Sequence, residues 1–146
     1  MIQRIQTLFL LIAGLATGSV FLLPFGVSDK VLSGSQLFAD QTFNVADNQL
    51  LGFLAALTTT ILVLNIFLFK KRNRQAMLSV TGAILSIALI GLIAYTWYED
   101  LGSILGEGTQ AGIGLFMPLV TFVLSLLARR SINKDEALIR SMDRLR

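Results

Sequence analysis

A chain of 146 residues that is 54% hydrophobic and only 14% charged cannot coat a globule with polar side chains, since a soluble domain carries roughly 25% charged residues. Its length fits one domain, and a mean hydropathy of +0.73 places it among integral membrane proteins. The formal net charge is +3, with no cysteine and no histidine, which excludes disulfides, thiolate nucleophiles, Cys/His zinc sites, imidazole bases and haem-ligating histidines.

A helix needs about 20 apolar residues to cross a bilayer core, and four stretches qualify. The first runs from about Ile5 to Phe25. Its apolar run exceeds a signal-peptide h-region and "PFGVSD" is a poor cleavage site, so it is read as a retained helix. The connection that follows, about Gly26 to Asn48, contains "SGS" and the alternating Phe43-Asn44-Val45, which suggests a small hairpin. The second span runs from about Gln49 to Phe69 and the third from about Ala76 to Tyr98. Between them "KKRNR" is short and predicts a tight antiparallel hairpin. "EDLGSILGEGTQ" predicts a short amphipathic turn around Leu101, Ile104 and Leu105. The fourth span, about Ala111 to Ala128, holds Pro118, expected to kink it. Segments 52–64 and 114–126 align as a faint repeat, which duplication of a helical hairpin would explain and chance matching among apolar segments explains nearly as well.

Orientation follows from lysine and arginine. Eleven of the twelve bases fall at the N-terminus, in the "KKRNR" connection or in the tail, and only Lys30 lies on the other side. Asp29, Asp40, Asp47, Glu99, Asp100 and Glu107 lie with Lys30. Both termini are therefore expected in the cytoplasm. Tyr95, Trp97 and Tyr98 end the third span, as an aromatic belt would.

No ionisable residue falls in the middle of any span. Such residues mark proton relays and catalytic sites, so the pattern argues against a carboxylate-coupled exporter, an intramembrane aspartyl protease and a head-group transferase. The uncharged polar residues, Asn65 the most polar of them, read either as a pathway through the bundle or as helix packing by small residues. Gly14-xxx-Gly18, the Ser79, Ala83, Ile87 and Gly91 series, and Thr121-xxx-Ser125 favour packing. The Thr58-Thr59-Thr60 run has no base nearby to activate a hydroxyl. The outer carboxylates are read as solvated loop acids, and no cofactor or metal is expected.

The last segment, 129–146, reads as an amphipathic helix. Asn133 and Glu136 have the spacing of a capping box. Asp135 and Glu136 suit its first turn and Arg144 and Arg146 its last. Glu136 and Arg140 are spaced i, i+4, and Leu138, Met142 and Leu145 share a face. That face has three candidate docks: the inner headgroup layer, a partner protein, or the chain's own bundle. Three tail acids and the lack of aromatic interleaving argue against nucleic acid.

The opening "MIQRIQTLFLL" and the closing "INKDEALIRSMDRLR" resemble the two ends of a small Bacteroidota membrane family, domain of unknown function 4293. The resemblance implies an inner-membrane protein of a Gram-negative bacterium and no activity, cofactor or catalytic residue. Gln3, Arg4 and Gln6 match its start pattern, and Lys134, Asp135, Glu136, Arg140, Ser141, Asp143, Arg144 and Arg146 its end pattern. Because both ends are expected in the cytoplasm, Gln3, Arg4 or Gln6 is expected to meet Asp135, Glu136 or Asp143. The resulting expectation is an all-α integral membrane protein: a four-helix bundle over 1–128 and a cytoplasmic amphipathic helix over 129–146. Its expected role is that of a non-enzymatic accessory or scaffold protein touching membrane lipid and a protein partner or second copy. The alternative is an oligomeric transporter or channel for a neutral solute or lipid.

Overall fold

The computed structural model describes residues 3–29, 35–69, 71–101 and 108–143. The elements in chain order are α1 (Gln3–Ser19), β1 (Gly26–Ser28), β2 (Thr42–Phe43), a 3-10 turn (Val45–Asp47), α2 (Gln49–Phe67), α3 (Arg72–Leu101), β3 (Thr109–Ala111), a second 3-10 turn (Ile113–Phe116) and α4 (Met117–Asp143). The fold is an all-α bundle carrying a three-stranded cap. Both α1 and α3 pack against α2 and α4, which closes a ring of four helices.

Local chemistry sets the ends of these helices. The Asn48 side chain accepts the Leu50 N–H at 2.9 Å and opens α2. Pro118 is the second residue of α4, so the kink expected from it does not form. In the first turn the missing N–H costs no helical bond and the fixed φ suits the helix start. The first predicted span, 5–25, is helical only to Ser19. The chain then turns through Val20–Leu23, because Pro24 disfavours helical backbone at Leu23, and Gly26 already belongs to β1.

The predicted break before residue 129 is also absent. α4 runs unbroken to Asp143, so Asn133 is mid-helix rather than a cap. No glycine or proline interrupts 119–143, and Ile132 and Asp135 are buried against the bundle. Residues 129–135 are therefore part of the bundle.

At about 1.5 Å per residue, the 30 residues of α3 and the 27 of α4 exceed the roughly 30 Å hydrocarbon thickness of a bilayer. Helices α2, α3 and α4 are long and apolar enough to cross a membrane, and Ile5–Ser19 forms a shorter apolar helix. Around an apolar core that includes Leu10, Leu51, Leu62 and Leu89, burial departs from that of a water-soluble protein. Leu15, Phe53 and Phe67 are largely exposed, whereas Thr17, Thr58, Asn65, Ser79, Ser86, Thr121 and Ser125 are fully buried. A lipid-facing bundle gains nothing by hiding leucine and gains by enclosing hydroxyls and amides.

The loop-rich end is closed by a sheet of order β2-β1-β3, antiparallel throughout. Gly26 stands opposite both Phe43 and Ala111. The suggested hairpin thus exists as β1 and β2, and the third strand comes from the other connection. The turn expected around Ile104 and Leu105 lies outside the described residues. Under the sheet Trp97 stacks edge-on against Phe38 at 5.7 Å and Phe43 at 5.9 Å. The expected aromatic belt is therefore split: Tyr95 and Tyr98 are exposed, while Trp97 turns into the cap core.

Two glycines make the cap closable. A Cβ on Gly112 would lie 2.2 Å from the Pro24 carbonyl oxygen, and one on Gly114 would lie 2.5 Å from that of Leu23. The aligned repeat glycine, Gly52, has 3.8 Å of room, so the repeat does not preserve the role. Gly112→Ala is expected to destabilise the protein by about 1–3 kcal/mol through overpacking, seen as a lower Tm in detergent. Gly91→Ala, with nothing within 4 Å, should leave Tm unchanged or raise it.

Candidate functional site

Among the described residues, three polar clusters hold the bundle, one near its middle and two at its basic end. In the middle, α1 and α4 approach through hydroxyls. The Thr17 and Thr121 oxygens lie 2.8 Å apart, and both hydroxyls also reach the Ala13 carbonyl, at 3.1 and 3.2 Å. Gly14 and Gly18 lie against α2, at Val63 and Thr59 respectively, so this GxxxG serves the α1–α2 contact. On α3, Ser79 and Ala83 are buried, but Ile87 and Gly91 face outward. Each i+4 step overshoots a full turn by about 40°, and the buried face instead follows Ser79, Ala83, Ser86, Leu89 and Ile93. Ser125 is buried near Gly82, and its oxygen has no hydrogen-bond partner.

At the basic end, α1 meets α4 again. The Gln6 amide donates to the Asp135 carboxylate and lies 3.4 Å from the Ser131 carbonyl. Both side chains are buried, at 4% and 6% exposure. The pairing satisfies a buried carboxylate with a neutral donor, which avoids enclosing two charges.

Beside it, α2 and α3 are tied by amides. Asn65 donates to the Gln75 carbonyl at 3.1 Å and to the Ser79 hydroxyl at 3.0 Å. Gln75 donates back to the Asn65 carbonyl at 3.3 Å. Gln75 had no place among the sequence candidates because it borders "KKRNR" and reads as a solvated boundary residue. Its i+4 spacing to Ser79 was the available signal. The Asn65 Oδ1 atom remains buried without a partner. In membranes such interhelical bonds average about 0.6 kcal/mol each.

The remaining end-pattern residues divide. Lys134 is exposed and Glu136 half-buried. Gln3, Arg4, Arg140 and Asp143 lie on α1 or α4, but their side chains, like Arg144 and Arg146 as a whole, lie outside the described residues.

The opposite end gathers acids around a cavity of about 280 Å³ lined by Asp47, Glu99 and Asp100 among others. Each carboxylate already has work. Asp100 accepts the Gln36 N–H at 2.9 Å and the Leu37 N–H at 3.2 Å, and takes the Ser35 hydroxyl. Asp47 accepts the Asn44 N–H at 2.6 Å, and Glu99 accepts the Tyr95 hydroxyl. Burial raises the Asp47 pKa above the ordinary carboxylate value; the Asn44 bond opposes this and nearby Asp40 adds to it. Among the described residues no three metal-ligating side chains converge.

A family model described as domain of unknown function (DUF4293) matches residues 2–145. The chain belongs to the DUF4293 family. No curated protein and no solved structure matches it. The DUF4293 match spans both ends of the chain, and in the structure those ends meet as the Gln6–Asp135 pair. Removing one partner should cost more than removing both. Gln6→Leu is expected to destabilise this DUF4293 protein by about 1–3 kcal/mol. The double variant Gln6→Leu/Asp135→Leu should recover most of that loss in thermal unfolding.

Proposed function

We propose that this protein is a non-enzymatic accessory or scaffold protein of the bacterial inner membrane that engages a protein partner through its basic end. The observation that carries this reading is the final stretch of α4. The helix continues past the Gln6–Asp135 contact to Asp143. There Ala137, Leu138, Ile139 and Ser141 are exposed, with Leu138 at 45%. An ordered helix that leaves leucine and isoleucine uncovered beside charged residues has the form of a groove-binding segment.

Orientation in the membrane follows the positive-inside rule. The start of α1, the α2–α3 connection and the end of α4 share one end of the bundle and carry most of the bases. That end is assigned to the cytoplasm, with α1 as a fourth, short span completed by Val20–Leu23. The chain has no cysteine, so single introduced cysteines report cleanly. In intact spheroplasts Asp40→Cys should react with a membrane-impermeant maleimide, and Lys71→Cys and Lys134→Cys should not. Labelling of Lys71→Cys from outside would reverse the assignment.

The role is tested by affinity purification from native membranes in mild detergent, followed by mass spectrometry. Truncation should begin at Leu138, because Ile132 and Asp135 belong to the bundle core. The expected result is a stoichiometric partner that is lost with 138–146. Recovery of this chain alone from both samples would refute the proposal and favour the oligomeric transporter or channel, read by solute and lipid flux in liposomes.

A further inference from the structure

We propose that the groove between the start of α3 and the basic turns of α4 binds the headgroup of one anionic phospholipid. The inference rests on the membrane-embedded reading of the bundle. The groove is lined by Asn73, Met77, Val80 and Thr81 from α3 and by Arg129 and Asn133 from α4, and encloses about 370 Å³. That volume lies toward the lower end of the roughly 300–1,000 Å³ of small-molecule sites. It fits a headgroup and the first carbons of an acyl chain.

The lining is graded along the helices. Asn73 and Asn133 sit toward the basic end, where amide donors meet headgroup oxygens. Met77 and Val80 lie further toward the middle of the bundle, where an acyl chain would run. Arg129 is exposed on this lining and supplies a forked donor suited to phosphate.

Charge at this end is complementary to an anion. Lys71, Arg72, Arg74, Arg129, Arg130 and Lys134 stand against Asp135 and Glu136 among the residues with described side chains. Asp135 is two residues from Asn133, about 200° around the helix, and is committed to Gln6 on the α1 side. Basic pockets between helices at the cytoplasmic surface recognise anionic headgroups by this chemistry.

The full chain is reconstituted in nanodiscs of phosphatidylcholine and phosphatidylglycerol at about 4:1, released in mild detergent, and examined by native mass spectrometry. One phosphatidylglycerol is expected to stay bound in preference to phosphatidylcholine. Arg129→Ala should weaken that retention by about five-fold or more. Arg130→Ala, outside the groove, should not. Val80→Trp fills the groove while keeping every charge and should also abolish retention, so the test survives a poorly folded Arg129→Ala. Equal retention of the two lipids, or equal weakening by Arg130→Ala and Arg129→Ala, would overturn the site. Intact retention in a folded Val80→Trp would do the same. Failure of the unaltered chain to enter nanodiscs would overturn the membrane reading as well.

Discussion

Where Thr17 meets Thr121, two hydroxyls and one helix carbonyl bring α1 and α4 together. This contact sets the register on which both ends of the molecule depend. One end of the seam carries Leu10 against Ala128 in the bundle core and then Gln6 against Asp135. The other end places Pro24 against the turn that starts α4, through the Gly114 N–H to the Pro24 carbonyl at 3.0 Å. In a bundle whose surroundings are as apolar as its side chains, burying leucine does not fix helix order. Hydrogen bonds and close backbone approach must do so, and here they occur at successive levels of the same helix pair.

The cap follows from a length mismatch. α1 is the shortest of the four helices, with 17 residues, so the chain leaves it early and must fill the end of the ring with non-helical backbone. Exposed backbone polar groups at that depth need partners. The β2-β1-β3 sheet supplies them, and the Phe25, Phe38, Phe43 and Trp97 rings fill the space beneath. Trp97 lies so close to Gly26 that a Cβ there would sit 2.6 Å from its ring. Asp100 at the end of α3 holds the 35–37 segment by its amides. Asp47 and Asp100 are thus engaged in closing the cap, while Lys71, Arg74, Arg129, Arg130 and Lys134 at the other end are exposed.

The candidate site was legible in part. Gln6 and Asp135 stood out because each belongs to a patterned, polar end of an otherwise apolar chain. Nothing in local spacing pairs them, since they are 129 residues apart and meet only after the ring closes. Asn65 was visible as the most polar residue within a span, but its partners were not, because Gln75 sits beside a run of bases that reads as solvated. The Ser79, Ala83, Ile87 and Gly91 spacing marks a packing face only over its first two members, since an i+4 series rotates out of the interface within two steps. The amphipathic pattern of the tail is legible as a helix but not as the continuation of α4, because Asn133 and Glu136 imitate a helix start within a helix already running.

The sequence by itself determined that the helices are apolar enough to cross a membrane. Four apolar stretches and a lack of charge inside them depend on composition along the chain alone. Tertiary structure decided which polar groups satisfy one another, because those partners come from different helices. It decided that Pro118 starts a helix rather than bending one, since the effect of a proline depends on where the first turn falls. It also divided the tail. Ile132 and Asp135 are buried, Asp135 against Gln6 of α1, because its carboxylate finds a donor there, whereas Leu138 and Ile139 beyond them are exposed.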